Sequence, residues 1–190
     1  MQYKVKKVAV IGAGVMGSGI AAHLANAGIP SIMLDIVPSE LSEAEKAKNL
    51  SLESKEVRNR LAQQGLKAAL ASKPALFYTK EDAELIELGN MEDDWEKLGE
   101  VDWIIEVVKE DMAIKKKVLK RIAEVRKKGT IISSNTSGLS IAEMASVLDE
   151  EMSQHFLVTH FFNPVRYMKL LEVIRGPKTS DAVVDAICQL

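Results

Sequence analysis

The sequence has little cysteine, no long apolar run and almost no net charge. Its 190 residues include a single cysteine, Cys188, which excludes an intrachain disulfide and makes a reducing compartment, the cytoplasm, the expected location. No apolar stretch reaches the roughly 18 residues that a membrane helix needs, so no membrane span is expected. A formal charge of −2 gives no reason to expect a nucleic-acid partner or a charged membrane surface.

Two further signals are missing. The histidines, cysteine and acids show no metal-ligand spacing, so no metal site is predicted. Residues 1–7 lead straight into an apolar run without a cleavable leader pattern, so no signal peptide is expected. The whole sequence is 47% hydrophobic and 27% charged, which is typical of a globular domain. Its length suits one domain over residues 1–190.

Short apolar runs alternate with segments of helical periodicity along the chain. The runs predict strands over 8–11, 31–35, 83–88, 102–108, 130–133, 156–160 and 170–174. The periodic segments predict helices over 15–27, 113–127, 140–148 and 180–190. This alternation indicates an α/β fold with a doubly wound, mostly parallel sheet and helices on both faces.

A helical insert is predicted after the second strand. Residues 41–71 are rich in Lys, Glu, Ala and Leu, and Ser42 and Glu45 have the spacing of a capping box at its start. Gly65 is expected to break or bend this helix.

A glycine-rich turn follows the first strand. Gly12, Gly14 and Gly17, with Val15 and Met16 between them, match G-x-G-x-x-G where a strand ends and a helix begins. In the Rossmann-type turn the first glycine permits a tight bend, the second lets the backbone approach a pyrophosphate, and the third lets helix and strand pack closely. Phosphates then lie at the positive end of the helix. The pattern predicts a dinucleotide site, with FAD as the rival to a nicotinamide cofactor.

An acid ends the second strand at the expected distance. Asp35 lies eighteen residues after Gly17, where a carboxylate accepts hydrogen bonds from the ribose hydroxyls. The same carboxylate repels the 2′-phosphate of NADP, and no arginine follows it, so NAD is favoured. The alternative interpretation is a tight turn next to an acid that caps another element.

His160 and Glu172 are the candidates for acid–base chemistry. His160 ends an apolar strand, where an open α/β sheet presents residues to a ligand crevice. Glu172 lies within another apolar run, and a carboxylate there needs a partner. A His–Glu pair would orient the imidazole and make it a base suited to a hydroxyl proton. A structural ion pair, or two unrelated surface groups, explains the same spacing.

Two other polar positions follow or occupy strands. Ser137 belongs to a run of short polar residues that could line the crevice and bond a substrate oxygen, or could cap the next helix. Glu106 is an acid inside an apolar strand, for which a cofactor ribose and a structural partner are both open.

Together these segments resemble the N-terminal domain of the 3-hydroxyacyl-CoA dehydrogenase family. The matching stretches are VIGAGVMGSGIA (10–21), IIEVV (104–108), SNTS (134–137), HFFNP (160–164) and MKLLEVI (168–174). The resemblance implies NAD-dependent oxidation of the 3-hydroxyl of an acyl-CoA in fatty-acid β-oxidation. It is strongest to the bifunctional members, which carry an enoyl-CoA hydratase module.

The resemblance also implies roles for single residues. His160 is then the catalytic base, Glu172 its partner, and Ser137 a contact to substrate and cofactor. Glu106 and Asn163 then lie near the nicotinamide. A family asparagine appears here as Asp111, so this cofactor contact is in question.

The family has a further helical domain that closes over the acyl chain and forms the dimer. Because the predicted last helix runs to Leu190, we expect this domain to be absent from the chain and the assembly to form through it. Two alternatives stay open: a module that binds NAD without activity of its own, and a dehydrogenase of a small hydroxy acid.

Overall fold

A single sheet organises the protein. The structure, a computed structural model, describes residues 3–190; Met1 and Gln2, which begin the segment predicted to lack a leader, lie outside this range. Across the described residues the sheet has the order β3-β2-β1-β4-β5-β6-β7. Its strands are β1 (Val8–Ile11), β2 (Ser31–Asp35), β3 (Ile86–Asn90), β4 (Trp103–Glu106), β5 (Ile131–Ser134), β6 (Phe156–Phe161) and β7 (Leu171–Arg175).

Neighbouring strands run parallel except at one edge, where β7 pairs antiparallel with β6. The helices are α1 (Val15–Asn26), α2 (Glu43–Ala47), α3 (Lys55–Arg58), α4 (Arg60–Ala71), α5 (Met112–Val125), α6 (Ile141–Ala145), α7 (Glu150–Gln154) and α8 (Asp181–Cys188). Helices α2, α3 and α4 lie between β2 and β3 in the chain. The Rossmann-type fold predicted from the sequence is confirmed, including the position of the helical insert.

The sheet is buried on both faces, as the apolar run of β1 indicates. Val8 and Val10 pack in one core cluster, with residues of α1, α4 and α8. Ala9 and Ile11 pack in the other, with residues of α5, α6 and α7. All four side chains are fully buried. Successive side chains of a strand point to opposite faces, so a continuous apolar run is what a strand between two helical layers requires.

The predicted helical region over 41–71 consists of three helices, α2, α3 and α4, which are interrupted before α3 and not at Gly65. Helix α2 begins with the predicted capping box, in which the Ser42 hydroxyl accepts from the Glu45 amide and the Glu45 carboxylate accepts from the Ser42 amide. It ends where Asn49 adopts a φ of +55°, a left-handed conformation that stops a helix.

Gly65 does not break α4, contrary to the expectation from the sequence. It is buried in the middle of the helix, where a β-carbon would lie 2.3 Å from the carbonyl oxygen of Ala13. The missing side chain lets α4 pack against the turn that follows β1. The glycine allows a contact between α4 and a turn that is distant in the chain, and helix propensity, which depends on neighbouring residues, does not predict such a contact.

Other boundaries shift for local reasons. The predicted strand over 83–88 lies at Ile86–Asn90, because the acidic residues before it form a 3₁₀ turn at Glu81–Leu85. The helix predicted over 140–148 covers Ile141–Ala145 only, and a second short helix, α7, follows with Asp149 as its cap. None of the helices described over residues 3–190 is long and apolar enough to cross a bilayer.

Gly65→Ala should lower the free energy of unfolding by about 1–2 kcal/mol. The added methyl overlaps backbone, which typically costs about 1–3 kcal/mol, and this outweighs the gain of up to about 1 kcal/mol in helix propensity. Urea unfolding measures the change. Gly138→Ala is the control, because a β-carbon there meets nothing within 4 Å. An unchanged or higher stability for Gly65→Ala would show that the contact with Ala13 does not constrain the helix.

Candidate functional site

The carboxyl ends of the parallel strands open into a cavity of about 880 Å³. Its walls come from the ends of β1 to β6, the segments that follow them, and α5. Since parallel strands end at the same edge of the sheet, residues far apart in sequence meet there. The predicted site residues that line it are Gly12, Gly14, Val15, Met16, Gly17, Asp35, Ser137, His160 and Asn163.

The three glycines of the turn have different surroundings. Gly12 has a φ of +108°, and a β-carbon on it would lie 2.5 Å from the carbonyl oxygen of Val107. A β-carbon on Gly17 would lie 1.8 Å from the carbonyl oxygen of Gly12. At Gly14, which lines the cavity, a β-carbon would meet nothing within 4 Å. Two glycines therefore make the turn, and the third keeps space beside it open.

The amino end of α1 faces this space without a side-chain cap. Gly14 is the cap residue, it has no side chain to accept from the first-turn amides, and the first turn contains no acid. The first amides of a helix lack partners within the helix and carry its positive end. The arrangement is suited to an anion such as a phosphate.

Asp35 is fixed against the same turn. One carboxylate oxygen accepts a hydrogen bond from the Ala13 amide at 2.7 Å, and the other accepts from the Ile36 amide at 2.7 Å. An ionised carboxylate has about four acceptor positions, so capacity remains for two hydroxyls of a ligand. The acid at the end of β2 and the turn after β1 thus form one unit.

His160 and Glu172 face each other across the antiparallel pair of β6 and β7. The imidazole Nδ1 and a Glu172 carboxylate oxygen are 2.8 Å apart. With Nδ1–H donating to the carboxylate, Nε2 is left unprotonated and able to accept a proton. His160 lines the cavity, whereas Glu172 lies behind it on the exposed edge strand. This is the arrangement of a general base with a partner that orients it.

Two predicted cofactor residues are not at the cavity surface. The Glu106 carboxylate is fully buried and accepts from the Lys115 ammonium at 2.8 Å, the Ser134 hydroxyl at 2.6 Å and the Val108 amide at 2.8 Å. Asp111 caps α5, where it accepts from the Ile114 amide. The structure gives both acids protein partners instead of a place in the cavity wall.

Between them lies an acid that the sequence analysis missed. Glu110 lines the cavity and accepts from the Thr136 hydroxyl and, at 3.2 Å, from the Ser137 amide. Burial acts to raise the pKa of Glu110, but the Thr136 hydrogen bond and the Lys115 charge outweigh it and hold the pKa below its usual range. The available signal was its place in the loop after a parallel strand. Asn135, in the loop after β5, also lines the cavity.

A sheet of this order, with a glycine turn, an acid after the second strand and an uncapped helix end, defines a dinucleotide-binding domain. The chain matches the family model described as "3-hydroxyacyl-CoA dehydrogenase, NAD binding domain" over residues 7–190. It therefore belongs to that family, as the resemblance indicated, and the family is one that binds NAD, the predicted cofactor.

Known proteins similar to this chain support the same family assignment. A probable 3-hydroxyacyl-CoA dehydrogenase of Bacillus subtilis is 54% identical over 97% of this chain and 23% of its own length. One of Deinococcus radiodurans is 46% identical over 95% of this chain and 48% of its own. The dehydrogenase part of a multifunctional enzyme of C. elegans superposes with a TM-score of 0.76 at 26% identity, covering all of this chain and 39% of that one. The chain thus spans less than half the length of these three proteins.

Lys115→Met should lower the free energy of unfolding by about 3–5 kcal/mol, because it leaves the buried Glu106 charge without its ammonium partner. Lys115 is 1% exposed. The neighbouring Lys116, whose bond to Glu143 lies nearer the surface, is the matched control, and Lys116→Met should cost at most about 1 kcal/mol. Chemical denaturation of both variants measures the difference. Equal losses would mean that the Lys115 ion pair contributes no more than a surface pair.

Proposed function

We propose that this chain is the cofactor-binding part of an enzyme that oxidises the 3-hydroxyl of a 3-hydroxyacyl-CoA to a ketone with NAD. The observation that carries the proposal is one cavity lined by both the glycine turn and His160, whose imidazole is paired with Glu172 behind the cavity wall. A site for a dinucleotide and a base for a hydroxyl proton are the two parts that such an oxidation needs.

The residues present fit NAD. Its pyrophosphate would lie over Gly14 at the amino end of α1, where the open space and the uncapped amides are found. Asp35 would accept from the hydroxyls of the adenosine ribose, and its charge would exclude a 2′-phosphate. Val15 and Met16 complete this wall. When bound, NAD accepts a hydride from the carbon that carries the hydroxyl.

The nicotinamide end would lie beside His160, because the proton and the hydride leave the same alcohol group. Nε2 of His160 removes the hydroxyl proton, and Glu172 orients the ring and stabilises the imidazolium that forms. Ser137 would donate to the substrate oxygen, and Asn163 and Glu110 line the same cavity. Glu106 and Asp111 take no direct part, given their protein partners.

The acyl-CoA specificity is proposed from the family and from the names of the relatives. The relatives are longer than this chain, and from the family resemblance we infer that the complete enzyme has a helical region that would close over the acyl chain and form a dimer or larger assembly. We therefore expect the 190-residue chain alone to bind NAD and to form little NADH with 3-hydroxybutyryl-CoA. The cytoplasm stays the expected compartment, on the basis of the single cysteine.

Gly14→Leu should weaken NAD binding at least about tenfold, since the side chain would occupy the space proposed for the pyrophosphate. Calorimetric titration of NAD into the chain measures the affinity, and thermal unfolding should show little change in stability. Gly14→Ala should have a smaller effect on NAD affinity. Gly12→Ala is the contrasting control and should lower stability, because its β-carbon meets the Val107 carbonyl. Unchanged NAD affinity in Gly14→Leu would refute the proposed cofactor position.

His160→Gln in the complete enzyme that contains this domain should lower kcat by about 10²–10⁴-fold, the usual contribution of a positioned base. The affinity of the 190-residue chain for NAD should stay within about threefold of the unsubstituted chain. His155→Gln is the control, because His155 lies at the opposite, amino end of β6. A kcat for His160→Gln close to that of the control would remove His160 from the chemistry.

A further inference from the structure

One ammonium group lies between two carboxylates beneath the cavity floor. The Lys115 Nζ is 2.8 Å from a Glu106 oxygen and 3.3 Å from a Glu110 oxygen. The Lys115 and Glu106 side chains are 1% and 0% exposed, whereas the Glu110 side chain is 43% exposed and lines the cavity. Two negative charges and one positive charge thus leave a net charge of −1, and the carboxylate that solvent or a ligand can reach is Glu110.

The geometry indicates which carboxylate neutralises Lys115. Glu106 is the nearer of the two and is fully enclosed, so its attraction to the ammonium is screened least. The ammonium also lies 3.4 Å from the Val108 carbonyl oxygen, which holds it at the end of β4. Lys115 is therefore matched mainly by Glu106, so the net charge of −1 lies at Glu110, which is the carboxylate of the two that lines the cavity.

The exposed charge lies in the cavity that His160 also lines. The side-chain oxygen of Asn135, two residues before Ser137, accepts from the Phe161 amide next to His160. Glu110 accepts from the Ser137 amide, and Ser137 and His160 line the same cavity. The low pKa of Glu110 keeps this carboxylate ionised at neutral pH. The nicotinamide ring is a cation when oxidised and neutral when reduced, so a negative charge beside it favours the oxidised form.

We propose that Glu106 is a positioning residue that sets the preference of the site for oxidised over reduced cofactor, by neutralising Lys115 so that Glu110 presents its negative charge to the nicotinamide. This inference rests on the proposed function, because it needs NAD in the cavity. It gives the buried Glu106 carboxylate a role in cofactor preference in addition to its role in stability.

The proposal predicts that the ratio of the dissociation constants for NAD⁺ and NADH follows the net charge of the cluster. Glu106→Gln brings that charge to zero and should shift the ratio against NAD⁺ by about tenfold, or about 1.4 kcal/mol. Lys115→Met removes the positive charge and should leave the ratio unchanged or shift it toward NAD⁺, because Glu110 keeps its charge even where a fully buried carboxylate without a cation takes up a proton. The double variant Glu106→Gln/Lys115→Met returns the charge to −1 and should restore the ratio of the unsubstituted chain.

The test is calorimetric titration of the 190-residue chain with NAD⁺, NADH and ADP. ADP contains the adenosine and the two phosphates but no nicotinamide, so its affinity should stay the same in every folded variant. Glu124→Gln, on the exposed face of α5, is the matched control and should change none of the three affinities. A purely structural role for Glu106 would lower all three together and leave the ratio constant.

Removing one partner of a buried pair can unfold a domain, whereas replacing both with neutral side chains often does not. If the single variants do not fold, the double variant therefore shows which carboxylate neutralises Lys115 in the unsubstituted chain. If Lys115 instead neutralised Glu110 in the unsubstituted chain, the double variant would shift the ratio toward NAD⁺, and the proposal would be overturned. A constant ratio in folded Glu106→Gln would overturn it while the proposed function stands. Failure of the unsubstituted chain to bind NAD⁺, NADH or ADP would overturn both.

Discussion

Close contact between backbones at three glycines is the constraint on which the site depends. Gly12 packs against the end of β4, Gly17 against Gly12, and Gly65 of α4 against Ala13. Each contact is shorter than a β-carbon allows, so any other residue would push the turn away from its neighbours. Because the turn is held from both sides, the amino end of α1 and the Asp35 carboxylate meet at one place, which gives an anion site beside a hydroxyl acceptor.

Hydrogen bonds between loops join that place to the histidine. The Glu106 backbone carbonyl accepts from the Asn135 amide, and the Asn135 side chain accepts from the Phe161 amide next to His160. The ends of β4, β5 and β6 are thereby tied together. The proposed base on β6 and the proposed cofactor turn after β1 are therefore held in one framework of paired strands and hydrogen bonds. The edge strand β7 supplies the partner of the histidine, because its antiparallel pairing with β6 places Glu172 directly opposite His160.

Much of the fold follows from local patterns, and the differences have physical reasons. The buried run of β1 and the capping box at Ser42 are signals carried by neighbouring residues, and the structure has both. Gly65 was misread because its contact with Ala13 joins residues far apart in the chain. The insert breaks at Asn49, and the left-handed conformation of this one residue is not predicted by the overall composition of the segment.

The same distinction applies to the site. The glycine turn and Asp35 could be named from the sequence because their spacing reflects one βαβ unit. For Glu106 the sequence left open a cofactor ribose or a structural partner, and the resemblance implied a place near the nicotinamide. The structure gives it a structural partner, Lys115, on α5. Glu110 was missed because its place at the cavity depends on Thr136 and Ser137, which come from another strand.

The most direct test of the proposed cofactor site is a nuclear magnetic resonance titration of the ¹⁵N-labelled chain with NAD⁺. Amide signals of the turn at 12–17, of Asp35 and Ile36, and of Glu110 and Ser137 should shift together with one binding constant, because they line one cavity. The amides around α8, no residue of which lines the cavity, should stay unchanged. Shifts confined to other surfaces, or no shifts at millimolar NAD⁺, would contradict a dinucleotide site at the glycine turn.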